Sequence, residues 1–206
     1  MSSLKVYGTP FSRAHRTMWM AKELGIEFDL VSVDQTKGET KLPDYLKINP
    51  NGLIPTIKDG DFILWESLAI NLYLCKKYGG AAAPANLEEE AQATQWSMWA
   101  LNYVEPGGVM LIQNFLKPEA DRDPTTHSRV REFWGMALDI LEAHLTQNKF
   151  ILGDRFTVAD VNVASCMGPA MRTGYDLSDH PKIEAWLKGC LTRPASSAAR
   201  ETVAAA

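Results

Sequence analysis

At roughly 150 residues per domain, a chain of 206 residues builds one large domain or two small ones. With 46% apolar and 22% charged residues it can fill a core, which excludes a disordered chain. Its 21 Lys and Arg against 25 Asp and Glu give a net charge of −4, which sets aside the general nucleic-acid binders, whose surfaces are basic.

Leu4-Lys5-Val6-Tyr7 reads as a short strand closed by Gly8-Thr9-Pro10. From Ser12 to Leu24, Ala14, Met18, Met20 and Ala21, with Trp19 beside them, predict an amphipathic helix that Gly25 ends. Phe28 to Val33 alternates with period two, a second strand. Strand, helix and strand within about 30 residues make a βαβ unit, so these two strands should run parallel. Lys37 to Leu46 is polar and turn-rich, with room for a short helix. Asn49-Pro50-Asn51-Gly52 is a strong turn. Ile54-Pro55-Thr56-Ile57 and Phe62-Ile63-Leu64-Trp65 are two brief strands around Lys58-Asp59-Gly60-Asp61, a hairpin signal. Leu68, Ala69, Leu72 and Tyr73 stripe a helix from Glu66 to Tyr78.

Ala81 to Asn86 has no periodicity and reads as a linker. Beyond it every strong pattern is helical. Trp96, Trp99, Ala100 and Tyr103 fit one face, and Pro106-Gly107-Gly108 should bend or break that helix. Further helices are expected over Val130 to Leu145, Thr157 to Met167 and Pro181 to Leu191, and a partly frayed tail from Ala195 to Ala206. The expected domains are residues 1–79, a linker at 80–87, and an all-helical domain at 88–206.

No uncharged run approaches the ~18–20 residues of a membrane span, and the start, Met1-Ser2-Ser3-Leu4-Lys5, carries no secretory apolar segment. Cys75, Cys166 and Cys190 are odd in number, far apart and in no C-x-x-C pair, which fits a reducing compartment. The four histidines lack ligand spacing too, so no metal is expected. These features point to a cytoplasmic protein with no membrane and no nucleic-acid partner.

Three junctions could carry chemistry. At Gly8-Thr9-Pro10-Phe11-Ser12 a hydroxyl sits where a helix begins, and helix N-termini favour anions; Ser12 reads equally as a helix cap. In Asn51-Gly52-Leu53-Ile54-Pro55 a proline inside an apolar strand calls for an edge or a cis bond, and such an edge leaves the Ile54 backbone free to pair with an extended peptide-like ligand. At Trp65-Glu66-Ser67, Ser67 can hold a carboxylate and Glu66 an ammonium, which suits a zwitterionic amino-acid head group; a cap with a first-turn acid is the plainer reading.

In order and spacing these junctions resemble the soluble glutathione transferases, over nearly the whole chain. The resemblance implies an N-terminal thioredoxin-like βαβ-ββα domain that binds glutathione, followed by a helical bundle domain. It places Pro55 as the cis-proline and Glu66-Ser67 on the γ-glutamyl head. Phe150 to Asp160 matches a structural pattern of the family's second domain, with Thr157 and Asp160 as a capping box, and Trp186 and Arg193-Pro194-Ala195 fit its C-terminal pattern. Gly8-x-Pro10-x-Ser12 with Lys41 resembles the serine-type, phi-like plant enzymes and their bacterial relatives. Leu53 and Thr40 depart from that pattern, standing where glutamine and histidine are common. By resemblance, Ser12 activates the glutathione thiol, with Tyr7 the alternative and Thr9 a third hydroxyl nearby. Lys41, Ile54, Pro55, Glu66 and Ser67 hold glutathione, the co-substrate. An apolar electrophile would meet Phe11, Tyr103, Met110 and Phe115, with Met171 a secondary candidate. The implied activity is conjugation of glutathione to that electrophile by a homodimer. The rival readings are a non-catalytic binding or scaffold protein on the same fold, and a glutathione-dependent peroxidase.

Overall fold

The computed structural model describes residues 4–204. They form two compact units, one running to Pro84 and taking in the chain again from Arg193, the other spanning Ala85–Thr192.

The first unit is built on strand β1 (Leu4–Gly8), helix α1 (Ala14–Glu23), strand β2 (Asp29–Ser32), short helix α2 (Pro43–Leu46), strands β3 (Thr56–Asp59) and β4 (Phe62–Trp65), and helix α3 (Ser67–Tyr78). The sheet order is β2-β1-β3-β4. β1 and β2 pair in parallel, as a βαβ unit requires, and β3 pairs antiparallel with both β1 and β4. Asp59 opposes Phe62, so Gly60-Asp61 alone makes the hairpin turn, with Gly60 at φ +61°. This is the expected βαβ-ββα order. β3, however, starts two residues later than the sequence pattern suggests: its pairing with β1 begins at Thr56, after the cis Ile54-Pro55 peptide.

α1 also starts later than expected. Residues 9–13 turn through Ser12 N–H to Thr9 carbonyl (3.1 Å) and His15 N–H to Ser12 carbonyl (3.0 Å) before the helix sets in. From Ala14 to Ala21 every residue of α1 is buried, not the half that an amphipathic helix would bury. The second cover is the tail. Pro194–Arg200 forms helix α9, which packs on α1, with Ser196 and Ala199 fully buried. Arg193 donates to both carboxylate oxygens of Glu23 at 2.6 and 2.8 Å, and Trp19 Nε1 donates to the same group at 2.9 Å. The imidazole Nε2 of His15 lies 3.0 Å from the Ser196 carbonyl. The tail is therefore an ordered part of the first unit through Arg200, not a frayed end of the helical domain; Ala205 and Ala206 lie outside the described residues.

The second unit holds α4 (Leu87–Trp99), α5 (Glu105–Phe115), α6 (Thr126–Gln147), α7 (Val158–Thr173) and α8 (Pro181–Leu191). Asn86 caps α4, its side chain accepting from the Glu89 N–H at 2.9 Å. Pro106 does not break the path into α5. Instead residues Ala100–Val104 widen into a π-helical turn, with the Glu105 N–H reaching back to the Ala100 carbonyl, and Pro106 falls in the first turn of α5. Trp134 Nε1 satisfies the Val104 carbonyl at 2.9 Å. The following glycines allow close packing: a Cβ on Gly107 would lie 2.3 Å from Trp134 Nε1, and one on Gly108 2.6 Å from the Cys166 carbonyl. At the start of α7, Asp160 is buried and accepts four bonds. Its donors are the Thr157 N–H and hydroxyl (2.9 and 3.2 Å), the Ile151 N–H and Trp186 Nε1 (2.9 Å each). That fixes Trp186 and the capping box in one structural knot.

Candidate functional site

The end of β1 is shaped by Gly8. Its φ is +142°, and a Cβ there would lie 2.5 Å from Ala14 Cβ, 3.5 Å from Ile54 Cβ and 3.6 Å from Ser12 Oγ. No side chain fits, so the Ser12 turn and the cis-proline loop close in over one bare strand end. The Ser12 hydroxyl is partly buried. It donates to the Thr9 carbonyl at 2.7 Å and accepts from the Ala14 N–H at 3.1 Å. Both readings of Ser12 thus have a physical basis: it caps the first turn, and its oxygen stands at the end of a helix ten residues long. Tyr7 is half buried against Val33, Tyr45 and Ile54, its ring 6.3 Å from that of Tyr45.

The loop before Pro55 is held by side chains that sequence reasoning treated as turn and filler. The Leu53 carbonyl accepts from Tyr45 Oη at 2.7 Å and Asn49 Nδ2 at 2.9 Å, and both groups also reach Thr56 Oγ1, at 2.9 and 3.1 Å. Asn49 Oδ1 accepts from the Asn51 N–H at 3.1 Å. These bonds turn Leu53 inward by its carbonyl and leave Ile54 between fixed neighbours. Among the described residues the backbone N–H and carbonyl of Ile54 pair with nothing. The available signal was a tyrosine, Tyr45, in an otherwise polar stretch, followed four residues on by Asn49, a turn former with hydrogen-bonding capacity at both ends. Lys41 lies over the same turn: its ammonium donates to the Asn51 carbonyl at 3.2 Å, and a Cβ on Gly52 would sit 2.7 Å from it.

Glu66 has φ +76°, the one positive value at a non-glycine position among the described residues. Such a conformation costs on the order of 1–3 kcal/mol, and strain of this kind gathers at ligand sites. It turns the exposed Glu66 side chain away just as α3 begins with buried Ser67. The Ser67 hydroxyl and N–H have no partner among the described residues, at the N-terminus of a twelve-residue helix. The far end of α3 is pinned to the hairpin: Asp59 Oδ2 accepts from Lys77 (2.6 Å), Tyr78 (2.9 Å) and Tyr73 (3.0 Å). Burial pushes the Asp59 carboxyl up, but those three donors outweigh it and hold it below the usual carboxylate range.

Two regions of the family model for glutathione S-transferase match: the N-terminal domain over residues 2–76 and the C-terminal domain over 106–194. Glutathione S-transferase 3 of Zea mays is 35% identical, with 100% of this chain and 95% of that protein covered. The chain belongs to the glutathione S-transferase family. Glutathione S-transferase F9 of Arabidopsis thaliana is 30% identical over 98% of this chain and 96% of its own. Among solved structures, glutathione transferase F7 from Populus trichocarpa superposes with a TM-score of 0.86 at 30% identity, covering 96% of this chain and 98% of that one. The theta class glutathione S-transferase from Xanthomonas axonopodis pv. citri, solved with glutathione bound, gives 0.88 at 28% identity, with all of both chains covered. The thioredoxin-like first domain and helical second domain expected from the sequence are those of the family.

Within the first unit the structure gathers the Ser12 hydroxyl, Ile54 and Pro55 around Gly8, and Lys41 beside the turn that leads to them. Phe11, next to Ser12, is 80% exposed. Tyr103 and Met110 follow one another along the π turn and α5 of the second unit, Tyr103 exposed and Met110 half buried. Phe115 ends α5 with two guanidinium groups against its ring. All three cysteines are buried, and burial pushes the Cys75 thiol up to about 12, so Cys75 is not poised as a thiolate. Among the described residues no group of three His, Cys, Asp or Glu is placed to hold a metal ion, and no helix is long and apolar enough to cross a membrane.

Proposed function

We propose that this chain activates the thiol of glutathione and conjugates it to a small, largely apolar electrophile. The observation that carries the reading is the meeting of the Ser12 hydroxyl and Ile54, whose backbone pairs with nothing among the described residues, over the side-chain-free end of β1. The Ile54 N–H and carbonyl would pair with the cysteinyl part of glutathione, with Pro55 setting their direction. Glu66 would take the γ-glutamyl ammonium, and the Ser67 hydroxyl and N–H its carboxylate. Lys41 would take the glycyl carboxylate.

A free thiol of pKa ~8.5 is about 3% thiolate at pH 7. Lowering that pKa by ~2 units requires ~2.7 kcal/mol of preference for the anion. One hydrogen bond to a charged group contributes ~1.5–3 kcal/mol and a helix N-terminus ~0.3–2 kcal/mol. The Ser12 hydroxyl, turned from the Thr9 carbonyl to the sulfur, is then sufficient without a general base. The thiol proton leaves to solvent. The sulfur forms a bond to the electrophilic carbon, and the leaving group departs with its bonding pair. Phe11, Tyr103, Met110 and Phe115 are the apolar groups for that electrophile. The protein acts in the cytoplasm as a homodimer of 22.9 kDa subunits.

The test is retention on immobilised glutathione together with conjugation of glutathione to chlorodinitrobenzene. Retention with turnover is the expected result. Retention without turnover on any electrophile favours the binding-protein reading, which has one observation on its side: the Ser12 hydroxyl hydrogen is taken up by Thr9. Absence of both contradicts the proposal.

A further inference from the structure

Behind the loop that carries Ile54 lies a ring of hydrogen bonds whose directions follow from counting hydrogens. Asn49 Oδ1 accepts from the Asn51 N–H and from Asn51 Nδ2, both at 3.1 Å, which turns Nδ2 the other way. Both Nδ2 hydrogens are then in use, one on the Leu53 carbonyl at 2.9 Å and one on Thr56 Oγ1 at 3.1 Å. The Leu53 carbonyl brings no hydrogen, so its 2.7 Å contact with Tyr45 Oη takes the only one the phenol has. The last contact, Tyr45 Oη to Thr56 Oγ1 at 2.9 Å, is therefore made by the threonine hydrogen. Four contacts use four hydrogens, in one assignment.

The ring is shut off from water, with Tyr45 6%, Asn49 2% and Thr56 0% exposed. A member that loses its partner there cannot turn to solvent, so the ring holds as a unit. Thr56 anchors it in the sheet, opposing Tyr7 on β1 and Trp65 on β4. Tyr45 comes from α2, and Asn49 from the turn after it, where its N–H reaches the Tyr45 carbonyl at 2.9 Å.

The consequence passes to Ile54 through one peptide plane. In a planar trans peptide the carbonyl and the N–H point in opposite directions. Ile54-Pro55 is the one cis bond among the described residues, so the Leu53-Ile54 peptide is trans. With the Leu53 carbonyl held in the ring by two donors, the Ile54 N–H faces away from the ring, and it meets no acceptor among the described residues. We propose that Tyr45, Asn49 and Thr56 are positioning residues that aim the Ile54 N–H at the cysteinyl carbonyl of glutathione. They act through the Leu53 carbonyl, without touching the ligand. The proposal rests on the transferase reading for the identity of that ligand. A donor fixed before the ligand arrives has no ordering left to undergo on binding, and that is what the ring contributes to affinity.

Turnover of glutathione with chlorodinitrobenzene, read beside amide NMR, tests this. Tyr45→Phe and Thr56→Val should each raise the KM for glutathione about five- to tenfold and leave kcat within about threefold of the parent. Thr56→Ser, which keeps the hydroxyl, should stay within about twofold of the parent. The variant with both Tyr45→Phe and Thr56→Val should be no more than about twofold worse than the weaker single variant, because both break one network. In Tyr45→Phe and Thr56→Val the shift of the Ile54 amide on adding glutathione should shrink, while that of the Ser67 amide persists at saturation. A KM and an Ile54 response close to the parent's in both single variants and in the double variant overturn the proposal. Equal losses at Ile54 and Ser67 also overturn it, since they mark a general loosening of the fold. Should Thr56→Val fail to fold, Tyr45→Phe decides alone. If the parent itself neither binds nor converts glutathione, the transferase reading fails, and the ring is judged on the free protein: a Leu53 carbonyl carbon resonance that does not move between the parent and Tyr45→Phe overturns it.

Discussion

Ser12 Oγ and Ile54 Cβ lie 3.6 and 3.5 Å from the single point where a side chain on Gly8 would begin. Two segments more than forty residues apart in sequence are therefore brought to one place because the residue between them has no side chain. Ser12 comes on the turn into α1, and Ile54 comes on the loop set by Tyr45 and Asn49. The candidate chemistry depends on this junction more than on any single side chain in it.

Ser67 tests the head-group end of the site. Its hydroxyl has no partner among the described residues, so its removal orphans none of them and should leave folding nearly unchanged. Ser67→Ala should weaken glutathione binding by ~1.5–3 kcal/mol, the value of a hydrogen bond to a charged group. The loss should appear in the KM for glutathione, with kcat changed little. An unchanged KM returns Ser67 to a plain helix start.

His15 makes stability depend on pH. Burial, against the Ser196 carbonyl that favours its charged form, holds the imidazole at about 4 from an ordinary 6.5. The unfolded chain therefore binds this proton first as pH drops. The stabilisation is whole above about pH 6.5 and is lost as pH falls toward 4. Between pH 7 and pH 5 this single group should remove about 2 kcal/mol. Chemical denaturation at the two pH values measures it, and His15→Gln should flatten the difference.

The strands, the hairpin and the helix after it were legible because each is written locally. The β1-α1-β2 unit shows in the alternation of Phe28 to Val33 and the stripe of α1, and the β3-β4 hairpin in Asp59-Gly60. The resemblance itself rests on short motifs with fixed spacing. What escaped is non-local. α9 reads as a frayed Ala/Ser tail, since its buried residues are small and its partners, Glu23 and His15, lie some 170 to 180 residues earlier. The α1 pattern suggested one apolar face because that tail covers the other. Asn49 reads as a turn residue, and only the fold shows its amide tying Leu53 to Thr56. At the π turn of Ala100–Val104 the Val104 carbonyl is met by Trp134, thirty residues on, which no helical period can announce.

That last contact yields a paired prediction in the helical unit. Gly107→Ala would drive a methyl group into the Trp134 indole and should cost ~1–3 kcal/mol by overpacking. Gly135→Ala, on α6 with nothing within 4 Å of its would-be Cβ, should instead stabilise by up to ~1 kcal/mol through helix propensity. Thermal melting of the two variants separates a glycine required by packing from one that is not.

The most direct test of the proposed activity is the pH titration of the ultraviolet thiolate absorbance of bound glutathione, in the parent and in Ser12→Ala. The parent should ionise the thiol ~2 units below the free value of ~8.5, and Ser12→Ala should return it most of the way while binding glutathione nearly as well. Conjugation near neutral pH should then fall roughly 10- to 100-fold in the variant, with the deficit closing above the free-thiol pKa. Identical titrations in parent and Ser12→Ala, with the shift lost in Tyr7→Phe instead, would contradict the assignment and give the thiol to Tyr7.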